Sequence, residues 1–129
     1  MNPVVHFEMP AEDKERMKKF YTETFGWEMQ QMGDDYGDYV VVMTTKSDDK
    51  GPIEKGIING GFYERTKDMP LQHPSVVISV PDIEAHMKKV KEAGGKVLGE
   101  PMDIPKVGKY VSFEDTEGNR VSMMQPEEM

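Results

Sequence analysis

The chain contains no cysteine among its 129 residues. That excludes disulfide staples, thiolate metal sites and cysteine nucleophiles together. It also lacks any apolar stretch near the roughly 18 residues that a membrane-spanning helix needs. Positive charge is in short supply: 16 Lys and Arg stand against 24 Asp and Glu, a net charge of −8. Phosphate backbones are bound by basic footprints, so no nucleic-acid partner is expected. No glycine-rich phosphate loop and no Ser-His-Asp arrangement around a nucleophile elbow is evident. The opening "MNPVVHFEMP" has no basic segment ahead of an apolar one, the pattern of a secretory leader. The expectation is a cytoplasmic protein without membrane association.

What is present fits one globular domain over residues 1–129, with 36% apolar and 31% charged residues. Acidic clusters at Asp34-Asp35, Asp48-Asp49 and Glu127-Glu128 read as solvated loops and a terminus. "GDDYGD" does not alternate its carboxylates around a glycine as a calcium loop does. Twelve methionines offer soft side chains for an adaptable pocket, but Met17 and Met87 fall at core positions of helices.

The chain also repeats itself. "HFEMPAEDKERMKKFYTETFGWEM" opens the first half and "VVISVPDIEAHMKKVKEAGGKVL" the second. Each has an alternating strand, a proline with nearby acids, an amphipathic helix containing Met-Lys-Lys, glycine, and a new strand. Met17, Phe20, Tyr21 and Phe25 recur at helical spacing, as do Ile83, Met87, Val90 and Ala93. Acids at both helix starts and glycines at Gly26 and Gly94-Gly95 mark the ends. Three strand-like runs follow each helix: "WEMQQM", "YVVVMTT" and "GIINGGFYE", then "KVLGEPMDI", "GKYVSFED" and "NRVSMMQP". Both halves read βαβββ, with module one at about residues 3–65, a linker at 66–74 and module two at about 75–126. Neither module buries its face alone, so the two are expected to complete a single sheet system together in an α+β fold. A ferredoxin-like sandwich accounts for the βαβ parts but leaves strands over.

Two βαβββ modules resemble the vicinal oxygen chelate superfamily of glyoxalase I, extradiol dioxygenases, fosfomycin-resistance enzymes and bleomycin-resistance proteins. The resemblance runs from about Pro3 to Pro126. It is carried by "ERMKKFYTETFGWE", "VPDIEAHMKKVKEAGGKV" and "EDTEGNRVSMMQP", and "GEPMDIPKVGKYVSFEDTEGN" is similar to a bacterial glyoxalase-like subgroup. It implies a cupped mixed sheet around a pocket with the helices outside, a small-molecule ligand, a homodimer and, in metalloenzyme members, a divalent ion on His and Glu side chains of inward strand positions. Such an ion acts as a Lewis acid on two neighbouring substrate oxygens.

His6 stands fifteen residues before Tyr21, the family's spacing for its first ligand. Alternation independently turns Val5, Phe7 and Met9 to the helix, and His6 and Glu8 to the pocket. The remaining ligand positions fall on Ser75, Ser122 and, without a fixed register, Asn59 or Gly61. Hydroxyls and amides are poor donors for transition metals, so His6 is the one family-matching metal position. A remodelled site using Glu8, Glu114 and His73 is the alternative, although Pro74 places His73 at the rim. His86 reads as an exposed helix residue.

The candidate catalytic residues are His6 and Glu8. The candidate pocket is His6, Asn59, Ser75, Ser79, Tyr110, Ser122 and Met124, with Phe62, Tyr63 and Trp27 as further aromatic walls, or with Trp27 packed instead against the first helix. "INGGFY" reads as a strand whose glycines admit a close neighbour. Three functions are open: a glyoxalase-like lyase or isomerase-type enzyme, with or without a divalent metal; a metal-free antibiotic- or metabolite-sequestering protein of the bleomycin-resistance type; or a structural subunit with a vestigial pocket.

Overall fold

The computed structural model describes residues 1–69 and 71–127; Pro70 of the expected linker and Glu128 of the terminal acidic pair lie outside them. The chain divides into two compact units, one spanning His6–Pro74 and the other made of Met1–Val5 with the chain from Ser75 onward.

In the first unit, β1 (Val4–Ala11) leads into α1 (Lys14–Phe25), followed by β2 (Glu28–Gln31) and β3 (Val40–Met43). A two-residue ribbon, β4 (Ser47–Asp48) with β5 (Gly51–Pro52), precedes β6 (Asn59–Glu64). α1 starts where Asp13 caps it, its carboxylate accepting from the Arg16 N–H at 3.1 Å. It ends where Gly26 turns left-handed (φ 73°) and donates to the Thr22 carbonyl. The sheet order is β2-β3-β6-β1, antiparallel except for the parallel β6–β1 pair.

Alternation sorts the two faces. Val40, Val42 and Phe62 are fully buried on the helix side, packed by Phe7, Met9, Met17, Tyr21, Trp27 and Met29. Trp27 stacks on Tyr21 with ring centroids 4.7 Å apart. Phe62 is therefore a core residue under α1 and not an aromatic wall of the opposite face, while Trp27 takes the second of its two expected places, packed against the first helix. Phe62 shares its strand with Tyr63, but period-2 alternation sends the two rings to opposite sides.

The second unit repeats the plan. β7 (Ser75–Ser79) is followed by α2 (Ile83–Glu92), β8 (Lys96–Ile104), β9 (Gly108–Glu114) and β10 (Arg120–Pro126). Its order is β8-β9-β10-β7, again antiparallel except for the β10–β7 pair. Asp82 caps α2 by accepting from the Ala85 N–H, and Gln125 Oε1 accepts the otherwise orphaned Ile83 N–H at 2.9 Å. Val80, Ile83, Met87, Val111 and Met123 form the core beneath the helix. The α+β class and the βαβββ order of both halves agree with the sequence reading, with the β4–β5 ribbon as an addition.

Candidate functional site

On the face of the first unit that turns away from α1, the parallel register sets His6 beside Asn59 and Glu8 beside Gly61. Val41 lies opposite Gly61 on the other side. Tyr39, two residues before Val41, therefore leans over the same face. A Cβ at Gly61 would fall inside the Tyr39 ring, so only glycine leaves room for it. Gly60 performs the same service on the opposite face for the ring of Phe7. The close neighbours admitted by "INGGFY" are thus two aromatic rings of the chain itself.

The Tyr39 hydroxyl sits 3.0 Å from His6 Nε2 and donates to Glu8 Oε2 at 3.1 Å. A phenol has one proton, so with that proton on Glu8 the hydroxyl accepts from His6 Nε2–H. The ring is then the neutral Nε2–H tautomer, with its lone pair on Nδ1. Burial holds the His6 pKa down from 6.5 to about 4, because an imidazolium there would be stripped of water. Glu8 is buried at 7% exposure. Sequence reading found His6 and Glu8 but missed Tyr39, the residue that joins them.

Asn59 faces the same side, but its amide is engaged. Its oxygen accepts from the Thr44 N–H at 3.0 Å and its nitrogen donates to Ser47 Oγ at 2.8 Å. It ties down the chain entering the β4–β5 ribbon. Tyr63 follows Asn59 and Gly61 on this face, beside Pro10, and is half-buried.

The second unit carries a different polar cluster on the face away from α2. Ser122 pairs with Ser112 across β10–β9, and Met124 with Tyr110. Ser122 Oγ lies 2.7 Å from the Tyr110 hydroxyl and 2.9 Å from Ser112 Oγ, and Ser112 reaches Tyr110 at 3.5 Å. Three hydroxyls with three protons thus close a ring of hydrogen bonds. Arg120 Nη2 adds a donor to Ser112 Oγ at 3.2 Å. Ser122 and Ser112 are almost wholly buried, at 1% and 5% exposure. Ser75 and Ser79 share this face by register, since Ser79 pairs with Met124 and Ser122 with Val77.

The divalent metal implied by the resemblance is a poor match for these donors. No group of three or more His, Cys, Asp or Glu side chains converges among the described residues. His6 Nε2 is already engaged by the Tyr39 hydroxyl, and the ligand position at Ser122 carries a hydroxyl inside a closed ring. His73 is exposed in the bend before β7. His86 uses Nδ1–H on the Asp82 carbonyl at 3.3 Å, within its own helix. Glu114 is half-buried on the Ser112 face, where its register partner is Arg120. Two open clefts, of about 430 and 450 Å³, lie at the start of α1 (Pro10, Met17, Phe20, Arg65) and beside β9 (Ile104, Lys109, Gln125). Neither is lined by His6, Tyr39 or Ser122.

Residues 4–123 match the family described as the Glyoxalase/Bleomycin resistance protein/Dioxygenase superfamily. A glyoxylase-like domain-containing protein of Didymella fabae is 33% identical over 114 residues, covering 87% of this chain and 84% of that one. A putative glyoxylase of Mycobacterium bovis is 36% identical over 67 residues, 52% of this chain but only 26% of its own length. Among solved structures, a hypothetical protein of Bacillus halodurans superposes with a TM-score of 0.68 at 15% identity, covering 99% of this chain and 96% of that one. Methylmalonyl-CoA epimerase of Mycobacterium tuberculosis gives 0.68 at 12% identity, covering 97% and 88%. At such identities the structures speak for the fold alone. The sequence match carries the assignment: this chain is a glyoxalase-like protein that belongs to the glyoxalase/bleomycin resistance protein/dioxygenase superfamily.

Proposed function

We propose that this protein binds a small polar molecule through hydrogen bonds, without a chelating metal, in the manner of the sequestering rather than the metalloenzyme members of its superfamily. One observation carries the reading: His6 Nε2 and Glu8 are both committed to the Tyr39 hydroxyl. The histidine at the family's ligand position is therefore satisfied within the protein. The hydroxyl ring of Tyr110, Ser112 and Ser122 supports it, because neutral oxygens recognise polar ligands by hydrogen bonds better than they hold a transition ion. A net charge of −8 attracts cationic compounds over anionic ones. The same reading takes the protein as a cytoplasmic homodimer, for which sedimentation at micromolar concentration is the check.

The test is metal analysis of tag-free protein, titration with nickel, zinc and manganese, and a thermal-shift screen of small metabolites and cationic antibiotics. The expected result is no stoichiometric metal and no ion bound more tightly than roughly millimolar. At least one compound should raise Tm in proportion to the logarithm of its concentration. A stoichiometric ion whose binding requires His6, or a screen with no responder, overturns the proposal.

A second reading, a metal-free lyase or isomerase-type enzyme, is favoured by one feature of the same site. His6 Nδ1 keeps its lone pair, and Tyr39 links the ring to a carboxylate, an arrangement suited to a general base. Turnover of a glutathione hemithioacetal that disappears in His6→Gln would favour it over binding alone.

A further inference from the structure

Asn59 is followed by glycine, and this is the single Asn-Gly pair in the chain. Such a pair is chemically labile. Glycine has no side chain to shield its nitrogen or restrain its backbone, so that nitrogen can attack the asparagine Cγ ahead of it. Asn2 precedes Pro3, whose nitrogen carries no proton, and Asn119 precedes the bulky Arg120. The reactive amide lies at the first position of β6, with His6 as its register partner.

The fold keeps the two reacting atoms apart. Asn59 has the extended backbone of a strand, and closing a five-membered ring onto the Gly60 nitrogen requires it to leave that conformation. Toward β1 it is held by the ladder. Toward β3 the register begins only at Val42–Gly60, so at residue 59 the side chain replaces the ladder. The Thr44 N–H donates to Asn59 Oδ1 at 3.0 Å, while Thr44 Oγ1 donates to the Ile58 carbonyl at 2.8 Å. Ser47 Oγ gives its one proton to the Thr45 carbonyl, so it accepts from Asn59 Nδ2 at 2.8 Å. Turning Cγ toward the Gly60 nitrogen breaks both side-chain contacts with the root of the β4–β5 ribbon.

We infer that Asn59–Gly60 is a self-modification site held shut by the β4–β5 ribbon, so that opening of the ribbon alone starts an irreversible deamidation beside His6. The Gly60 nitrogen, giving its proton to hydroxide, bonds to Asn59 Cγ. The Cγ–Nδ2 bond breaks, and ammonia leaves with a proton from water. Water then opens the cyclic imide, at Cγ to give aspartate or at the backbone carbonyl to give isoaspartate. No electrons change hands. Aspartate keeps the acceptor for the Thr44 N–H but has no donor for Ser47, and it brings a negative charge beside His6. Isoaspartate also lengthens the backbone of β6 and disturbs its register with β1. Either product loosens the ribbon that guarded the step. The inference does not depend on metal-free binding, and either can fail alone.

The test incubates the full chain at pH 8.5 and 37 °C, folded or unfolded in guanidinium chloride. Conversion is read by mass spectrometry of the tryptic peptide 56–65, whose single asparagine is Asn59. The folded wild type should react at least about tenfold more slowly than the unfolded chain. Ser47→Ala should speed the folded reaction about threefold or more, and so should Thr44→Val, which removes the Oγ1 donor at the ribbon root. Ser122→Ala, in the other unit, should leave the rate unchanged. Circular dichroism verifies that each variant is folded, and either ribbon variant suffices if the other is not. A folded wild type as fast as the unfolded chain overturns the proposal, as do folded ribbon variants no faster than wild type. Equal acceleration by Ser122→Ala also overturns it, because global unfolding would then be the gate.

Discussion

A histidine that stays neutral to about pH 4 is a liability for the fold in acid. Between pH 6.5 and about 4 the unfolded chain takes up a proton at His6 that the folded chain refuses. Stability therefore rises with pH across that window, and its loss on acidification is on the order of 3 kcal/mol from this residue. Urea unfolding at pH 7 and pH 4.5 measures the effect. The acid loss should shrink in His6→Gln, whose amide still donates to Tyr39 but does not titrate. An equal loss in both proteins would assign the acid sensitivity elsewhere. Ser122 makes a second residue-scale case. Its hydroxyl closes the ring with Tyr110 and Ser112 at 1% exposure, so Ser122→Ala should cost about 1–2 kcal/mol by taking one hydrogen bond from each of two partners. In a double-mutant cycle Ser112→Ala should then cost less, since one of the hydrogen bonds it would break is already gone. Additive costs would argue against a shared ring. At this scale the sequence showed where His6 and Glu8 point, because alternation along one strand is local. It concealed Tyr39, whose contacts span 33 and 31 residues and depend on what Gly61 lacks. Tyr39 sits two positions before Val41, the partner of Gly61, and that parity opposite a glycine was the available signal.

At the scale of elements, the glycine pair in β6 runs against strand propensity, since glycine inside a strand costs conformational entropy and packs nothing. Replacing Gly60 by alanine should therefore help by a few tenths of a kcal/mol if only the backbone mattered. Instead the new methyl group would meet the Phe7 ring on the core side. Overpacking of this kind costs about 1–3 kcal/mol, so Gly60→Ala should lower stability, and the Phe7 ring resonances should move in NMR spectra. A neutral or stabilising Gly60→Ala would mean that Phe7 has somewhere else to go. The strand borders were legible wherever a turn residue stood beside an alternating run: β8 occupies the expected Lys96–Ile104 and β9 begins at the expected Gly108. The β4–β5 ribbon was not legible. Its strands are two residues each and polar, held by Asn59 and by local turns, so no hydrophobic period announces it.

Across the whole molecule, one plan is used twice with unequal packing. Both units place a parallel pair beside two antiparallel steps and cover one face with a helix capped by aspartate. The repeat was readable because the two helices share their spacing. Depth of burial was not, since it depends on neighbours that the pattern does not name. α2 buries Ile83 completely and Met87 nearly so, whereas α1 buries none of its residues fully and leaves Phe20 and Phe25 at 55% and 61% exposure. Ile83→Ala should cost about 2–5 kcal/mol, the range for emptying a closed core position. Phe25→Ala should cost less than about 1.5 kcal/mol, because it forfeits only ring contacts with Tyr21 and Trp27. Equilibrium unfolding of both variants at two protein concentrations separates the cases. A Phe25→Ala cost as large as that of Ile83→Ala, growing with protein concentration, would mean that a second copy covers this face of α1 in solution. A small cost independent of concentration would place any homodimer contact elsewhere on the chain.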